Sequence, residues 1–278
     1  MTTPVVLKFG GELLEDPSRM GAIVSSVAAI SAAGTPLAIV HGGGKKIDAA
    51  LKAVGIEKRQ IEGLRITDDG TLDVVVSVLA GVVNTRLVAA LSAAGVAAVG
   101  VTGADGPIGL CDVAPPHRTV DGTSVELGRV GVPNRGSDMR LLKTLIADGF
   151  VPVVSSIGTT GDGQLLNVNA DTMAGHLAGM LRARRLVIAG STAGVLDDEG
   201  NTVALLDPAA IAKLVAGGTA TAGMIAKLRA CEDALASGVD DVVIVDGRNG
   251  DALRASCTAA GAVPPSATLI VTIVGTQS

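Results

Sequence analysis

The chain of 278 residues has no tryptophan, no tyrosine and only two phenylalanines. Without aromatic faces it offers no platform for stacking bases or sugar rings, which argues against single-stranded nucleic-acid binders and aromatic carbohydrate sites. A basic stripe is missing as well. The net charge is −5 and the pI about 5.2, whereas nucleic-acid domains gather Lys and Arg on one face. Cysteine is scarce, with only Cys111, Cys231 and Cys257, far apart and with no CxxC. That excludes a disulfide framework and a zinc site, and leaves core thiols in a reducing compartment. His41, His117 and His176 are too scattered to ligate zinc. The mean hydropathy of +0.51 raises the question of a membrane. The longest weakly polar stretch, Leu87 to Val101, is short and broken by Ser92 and Gly95. No basic segment and cleavage pattern precede the first apolar run. The expectation is a cytoplasmic protein with neither nucleic acid nor membrane as partner.

What the chain does have is 37 glycines, 48% hydrophobic residues and only 18% charged ones. That is enough for two layers of core, and far too apolar for disorder. Pro4 to Phe9 is a β-branched run that stops at Gly10-Gly11. Asp16 to Ala33 has helical spacing closed by Gly34. Leu37 to Val40 is a second buried run before His41-Gly42-Gly43-Gly44, and a helix then passes through Ile47, Leu51 and Val54. Strand, helix, strand, glycine loop and helix make the unit of a parallel sheet covered on both faces. Lys58 to Thr67 reads as a charged loop, Asp69 to Ala94 as a long helix, and Val96 to Val101 as a strand. Residues 103–136 read as short antiparallel pieces. The remaining expectations are helices at Ser137 to Asp148 (with Ser137 as N-cap), Asp171 to Arg182, Pro208 to Val215 and Ala222 to Ala236. Strands fall at Val151 to Ser155, Leu186 to Ala189, Asp241 to Val245 and Thr268 to Ile273.

Five constellations carry chemistry. Lys8 stands beside Gly10 and Gly11, where a cation and bare amides can meet an anion, although a strand-edge lysine and a plain turn look the same. His41 precedes Gly42, Gly43 and Gly44, three glycines where a βα turn needs fewer, which favours anion contact at the helix start. The spacing is neither Walker A nor GxGxxG, so a nicotinamide dehydrogenase is excluded. Arg65, in Gly63-Leu64-Arg65-Ile66-Thr67-Asp68, is either a carboxylate clamp or a solvated loop arginine. Asn167, Asn169 and Asp171 alternate before a helix; they line a crevice, or Asp171 is an ordinary N-cap. Lys227, four residues after Gly223 at the start of a helix, opposes the helix dipole unless an anion compensates it.

In this order along one chain, the five constellations resemble the amino acid kinase family. The likeness extends through Asn84 to Leu91, Gly103 to Gly106, Pro152 to Ile157 and Val245 to Arg248. The resemblance implies a single domain over residues 1–278, a three-layer α/β/α sandwich with a mainly parallel central sheet. It implies an N-lobe of about 1–180 for the amino-acid substrate and dimerisation, and a C-lobe of about 181–278 for ATP. It is strongest toward members that phosphorylate the side-chain carboxylate of N-acetyl-L-glutamate in arginine biosynthesis. The implied cofactors are ATP and a Mg²⁺ ion held mainly through its phosphates, with no protein metal ligands. Lys8, Lys227 and Asp171 would be catalytic. Gly43, Gly44, Arg65, Asn167 and Asn169 would bind substrate, and Gly10, Gly11, Ser191, Gly223 and Met224 the nucleotide. Arginine-inhibited hexameric members carry an extra N-terminal helix ahead of the lysine strand, so the expectation here is a homodimer insensitive to arginine. The alternatives are a related kinase of aspartate or of a carrier-linked aminoadipate or glutamate, and a non-catalytic amino-acid sensor. The chain departs from the family pattern at Gly190-Ser191, where Ser/Thr-Asp is usual, and at Ala222, Ala226 and Ala267, all in the implied nucleotide lobe.

Overall fold

A computed structural model describes residues 3–119, 121–216, 222–258 and 263–272. Eight strands form one sheet: β1 (Val5–Phe9), β2 (Leu37–His41), β3 (Ala98–Thr102), β4 (Val151–Ser155), β5 (Arg185–Gly190), β6 (Leu205–Leu206), β7 (Val242–Asp246) and β8 (Ala267–Ile270). Their spatial order is β6-β8-β7-β5-β1-β2-β4-β3. All neighbours run parallel except β7 and β8. Strands β1, β2 and β4 are buried along their whole length, as strands covered on both faces must be. Alternate residues feed two cores. Val5, Leu7 and Phe9 face one, with Ile23, Val27, Leu87 and Leu253. Val6 faces the other, with Met173, Leu177, Leu228 and Ala234. The result is the expected α/β/α sandwich.

The helices are α1 (Pro17–Ala32), α2 (Gly44–Ala53), α3 (Asp69–Ala93), α4 (Arg140–Ala147), α5 (Ala170–Leu181), α6 (Pro208–Ala216), α7 (Ala222–Ala236) and α8 (Gly250–Thr258). Asp16 caps α1 through the amides of Ser18 and Arg19, and Gly34, at φ 76°, ends it. Several expectations need correction. Ser137 does not cap α4, which starts at Arg140 with no side-chain cap. Its hydroxyl is buried and turned inward, against the amide of Leu110 and the ring of His176. Residues 58–67 are not a bare loop, since Gln60–Ile61 and Leu64–Arg65 pair as a hairpin. The pair Ile157–Thr159 and Leu165–Asn167, strand β6 and helix α8 lie where the sequence pattern suggested nothing. The last strand ends at Ile270, and Ile273 falls outside the described residues.

Helix α3 is the longest apolar run, not Leu87 to Val101. It has 25 residues, and an 18-residue stretch within it has a mean hydropathy of 2.0, so it is long and apolar enough to cross a bilayer by length and composition alone. Here Leu72, Val75, Leu79, Val83, Leu87 and Leu91 enter the core. Its middle, Ser77–Asn84, widens into a π-helix, which puts Asn84 inside the protein. The Asn84 amide reaches the backbone oxygen of Val153, at 2.8 Å, and Nε2 of His41, at 3.1 Å. His41 Nδ1 in turn meets Gly42 O at 3.2 Å. Such π turns recur where a helix must place one side chain out of phase. Here the side chain so placed ties the end of β2 and its glycine loop to β4.

Burial pushes His41 down to about 4, against a weaker opposing hydrogen bond to Gly42. Burial also takes His176 down to about 4. The unfolded chain binds these protons near the ordinary value of 6.5 and the folded chain does not. Stability is therefore intact above about 6.5 and is lost as pH falls toward 4, by roughly 3 kcal/mol for each histidine. Urea midpoints measured between pH 7 and 4.5 should fall accordingly, and a His41→Gln variant should show a shallower fall than wild type.

Candidate active site

Strand β1 lies where the order of strands reverses, with β2 on one side and β5 on the other. Open α/β sheets bind ligands at such a point, beyond the carboxyl ends of the strands. A cleft of about 370 Å³ opens there, bordered by Lys8, Gly10, Gly11, Gly42, Gly43, Gly44, Arg65, Asn167 and Asn169.

The glycines are there because two turns touch. A Cβ on Gly11 would lie 2.8 Å from Gly43 Cα, and one on Gly43 would lie 2.9 Å from Leu79 Cδ2. Gly10 N donates to Ala189 O and Gly42 N to Phe9 O, so both turns continue the sheet. Helix α2 starts at Gly44 with no side-chain cap. Its first amides stand at the cleft edge with a positive dipole end, a ready anion site.

Lys8 is only 6% exposed and points to the α5–α7 side of the sheet. Its Nζ lies 2.8 Å from Asp171 Oδ1, and Lys227 Nζ lies 3.5 Å from Asp171 Oδ2. One carboxylate thus bridges two ammonium groups from elements far apart in sequence. Close helix packing makes this possible. A Cβ on Gly175 would come to 3.0 Å from Ala230 O, and one on Gly179 to 2.5 Å from Ser237 Cβ, so only glycine lets α5 and α7 approach. The N-cap of α5 is Asn169, whose Oδ1 accepts from the amides of Asp171 and Thr172. Asp171 is therefore free of capping and sits in the first turn, where the dipole favours a negative charge. Burial pushes the Asp171 carboxyl up, but the charges of Lys8 and Lys227 outweigh it and hold it below the usual carboxylate range. Burial, and then repulsion from Lys8, lower Lys227 against the pull of Asp171. Lys227 lies in the second turn of the described helix, not the first.

On the opposite wall, Arg65 Nη2 is bound by Asp48 Oδ1, while Nη1 is buried with no hydrogen-bond partner among the described residues. Asp48 also pairs with Lys58, at 2.8 Å. Burial pushes the Asp48 carboxyl up, and these two cations more than reverse it. Asn167 Nδ2 donates to Thr67 Oγ1 at 3.1 Å. Of the other sequence-predicted residues, Ser191 is exposed just past β5, and Gly223 and Met224 lie in the first turn of α7. None of the three borders this cleft. Sequence reasoning passed over Glu12, Asp48, Lys58 and Ser156, which do. Asp48 was readable, one helical turn after Gly44 and so on the same face.

The site has ammonium groups, bare amides and a half-paired guanidinium. No cysteine or histidine among the described residues borders the cleft, and burial pushes the thiols of Cys111, Cys231 and Cys257 up. Among the described residues no three His, Cys, Asp or Glu side chains gather to hold a metal ion. This is machinery for positioning anions. The sequence profile of the amino acid kinase family matches residues 3–246. The chain belongs to the amino acid kinase family. It is 39% identical over 252 residues to acetylglutamate kinase from Novosphingobium aromaticivorans, covering 87% of this chain and 83% of that one. It is 40% identical over 248 residues to acetylglutamate kinase from Erythrobacter litoralis, covering 87% and 82%. Among solved structures it resembles smu.665 from Streptococcus mutans, at 26% identity and a TM-score of 0.78 over 96% of this chain and 98% of that one. A carbamate kinase from Giardia lamblia bound to AMP-PNP shares the fold, at 16% identity and a TM-score of 0.67 over 98% and 99%.

The glycine contacts separate two otherwise similar substitutions. Gly11→Ala forces backbone against backbone and should cost about 1–3 kcal/mol. Gly44→Ala meets nothing within 4 Å and should leave stability within about 0.5 kcal/mol of wild type. Paired urea unfolding curves check both.

Proposed function

We propose that the chain transfers the γ-phosphoryl group of ATP to the side-chain carboxylate of N-acetyl-L-glutamate, giving N-acetyl-L-glutamyl 5-phosphate, a step of arginine biosynthesis. The observation that carries this reading is the Lys8–Asp171–Lys227 bridge at the head of a cleft whose far wall holds the free Nη1 of Arg65. Identities of 37–40% to acetylglutamate kinases over most of the chain support the choice of acceptor.

The acceptor carboxylate is already ionised at neutral pH, so it needs no general base. The difficulty is to bring it against a polyanion, and positioning with charge neutralisation answers that. Lys8 and Lys227 stabilise the charge on the migrating phosphoryl group while Asp171 holds both in place. Amides of Gly11, Gly43 and Gly44 donate to phosphoryl or substrate oxygens, and Gly10, whose own amide is spent on Ala189 O, keeps the nucleotide turn free of a side chain. Arg65 offers Nη1 to the α-carboxylate. Asn167 and the side-chain amide NH₂ of Asn169, whose oxygen is spent on the helix cap, hold the acetamido end. Ser191, Gly223 and Met224 serve the nucleotide on the α7 side of the bridge. Magnesium, when bound with the nucleotide, neutralises phosphate charge. The residues present suit an ion held mainly by phosphates and water, since among the described residues no carboxylates gather into a cage.

The lobes divide near Leu181, with about residues 1–180 for acceptor and dimerisation and about 181–278 for nucleotide. The enzyme works in the cytoplasm as a homodimer. Edge strand β3 and the exposed Val82 of α3 support a self-contact there, and sedimentation velocity at micromolar concentration should give one species of twice the chain mass.

The reaction is tested by supplying MgATP with N-acetyl-L-glutamate, L-glutamate or L-aspartate and trapping acyl phosphate with hydroxylamine. Hydroxamate should form from N-acetyl-L-glutamate, and Lys8→Ala and Lys227→Ala should each lower kcat at least 100-fold. Arg65→Ala should act mainly on KM for the acceptor. Hydroxamate from none of the three acceptors would contradict this reading and favour a sensor.

A further inference from the structure

Glu12 is a negative charge in a cleft built for negative ligands. It lies in the tight turn Gly11–Leu13, just after Gly10 and Gly11 in the sequence, and it borders the cleft. Its carboxylate folds back over Gly10. A Cβ there would collide with both carboxylate oxygens, and one on Gly190 would come within 3.8 Å of Oε1. The carboxylate therefore occupies the space between the ends of β1 and β5, beside the lysine bridge. It is close enough to add to the pull that keeps Lys227 charged. Yet among the described residues it makes no hydrogen bond and no close ion pair.

A carboxylate left unpaired in a partly desolvated site is costly, and one facing a triphosphate is repelled. A divalent cation between the two reverses both effects. We infer that Glu12 is a nucleotide-form selector: it shares the magnesium ion of the metal–nucleotide complex and repels the metal-free nucleotide, so that the site takes up ATP only with its cation. The inference rests on the kinase reading above and adds a residue, a ligand chemistry and a discrimination to it. Glycine at position 10 leaves the selector its place, since a side chain there would displace the Glu12 carboxylate.

The test is binding, not turnover. The affinity of the whole protein for AMP-PNP is measured by calorimetry with 5 mM Mg²⁺ and again with EDTA, for wild type, Glu12→Gln and Glu12→Asp, each checked for folding by circular dichroism. Wild type should prefer the magnesium form strongly. Glu12→Gln should weaken the magnesium form about tenfold while leaving the metal-free form unchanged or tighter, so the ratio of the two dissociation constants collapses by about ten. Glu12→Asp, which keeps the charge but retracts it, should fall between, and it carries the test if the glutamine variant does not fold. A Glu12→Gln protein that loses both affinities by the same factor, or neither, would overturn the inference while leaving the kinase reading standing. Failure of wild type to bind AMP-PNP in either form would overturn both.

Discussion

Two ammonium groups do not share a buried site unless a carboxylate stands between them. At an effective dielectric of 20, like charges about 4 Å apart repel by roughly 4 kcal/mol, and burial adds to that cost. Asp171 meets it with one oxygen for Lys8 and one for Lys227. In return the two cations keep its own carboxyl ionised despite burial. The triad is neutral enough to fold and still carries a net positive charge. Most of what surrounds it exists to hold three side chains from β1, α5 and α7 at this one point.

The fold supplies that convergence through small residues. Gly175 and Gly179 bring α5 onto α7, and Gly11 and Gly43 bring two turns into contact. Arg185, almost fully buried, anchors the other end of the sheet through two hydrogen bonds to Asp241 and one to Ser256 O. The strand ends that bear the site are thus pinned from below as well as above. The His41–Asn84 contact, made possible by the π turn of α3, fixes the second glycine loop.

Much of this was legible in the sequence where the signal is local. Buried apolar runs marked β1, β2, β4 and β5, the first two and the last running into glycine, and Lys8 and Lys227 stood out near their glycines. What was not legible depends on pairing at a distance. Asn169 and Asp171 are equally good caps by composition, and only the backbone entry into α5 decides that Asn169 caps and Asp171 bridges. Ser137 is a strong N-cap candidate by type, but its hydroxyl satisfies Leu110 and His176 instead. The π turn leaves no mark on hydrophobic periodicity, because Asn84 is one residue out of phase in an otherwise apolar helix. The place of Asp48 was legible from its spacing after Gly44, but its pairing with Arg65 was not. Glu12 was hidden by the glycines beside it.

The charge bridge is tested most directly by the titration of Lys227 itself, followed through its ε-carbon by NMR in protein carrying ¹³C-labelled lysine. Wild type should show Lys227 below the ordinary lysine value. In Asp171→Asn, burial and repulsion from Lys8 persist without the compensating carboxylate, so Lys227 should titrate lower still. An unshifted Lys227 in wild type, or one indifferent to the loss of Asp171, would show that the three side chains do not act as one charged unit.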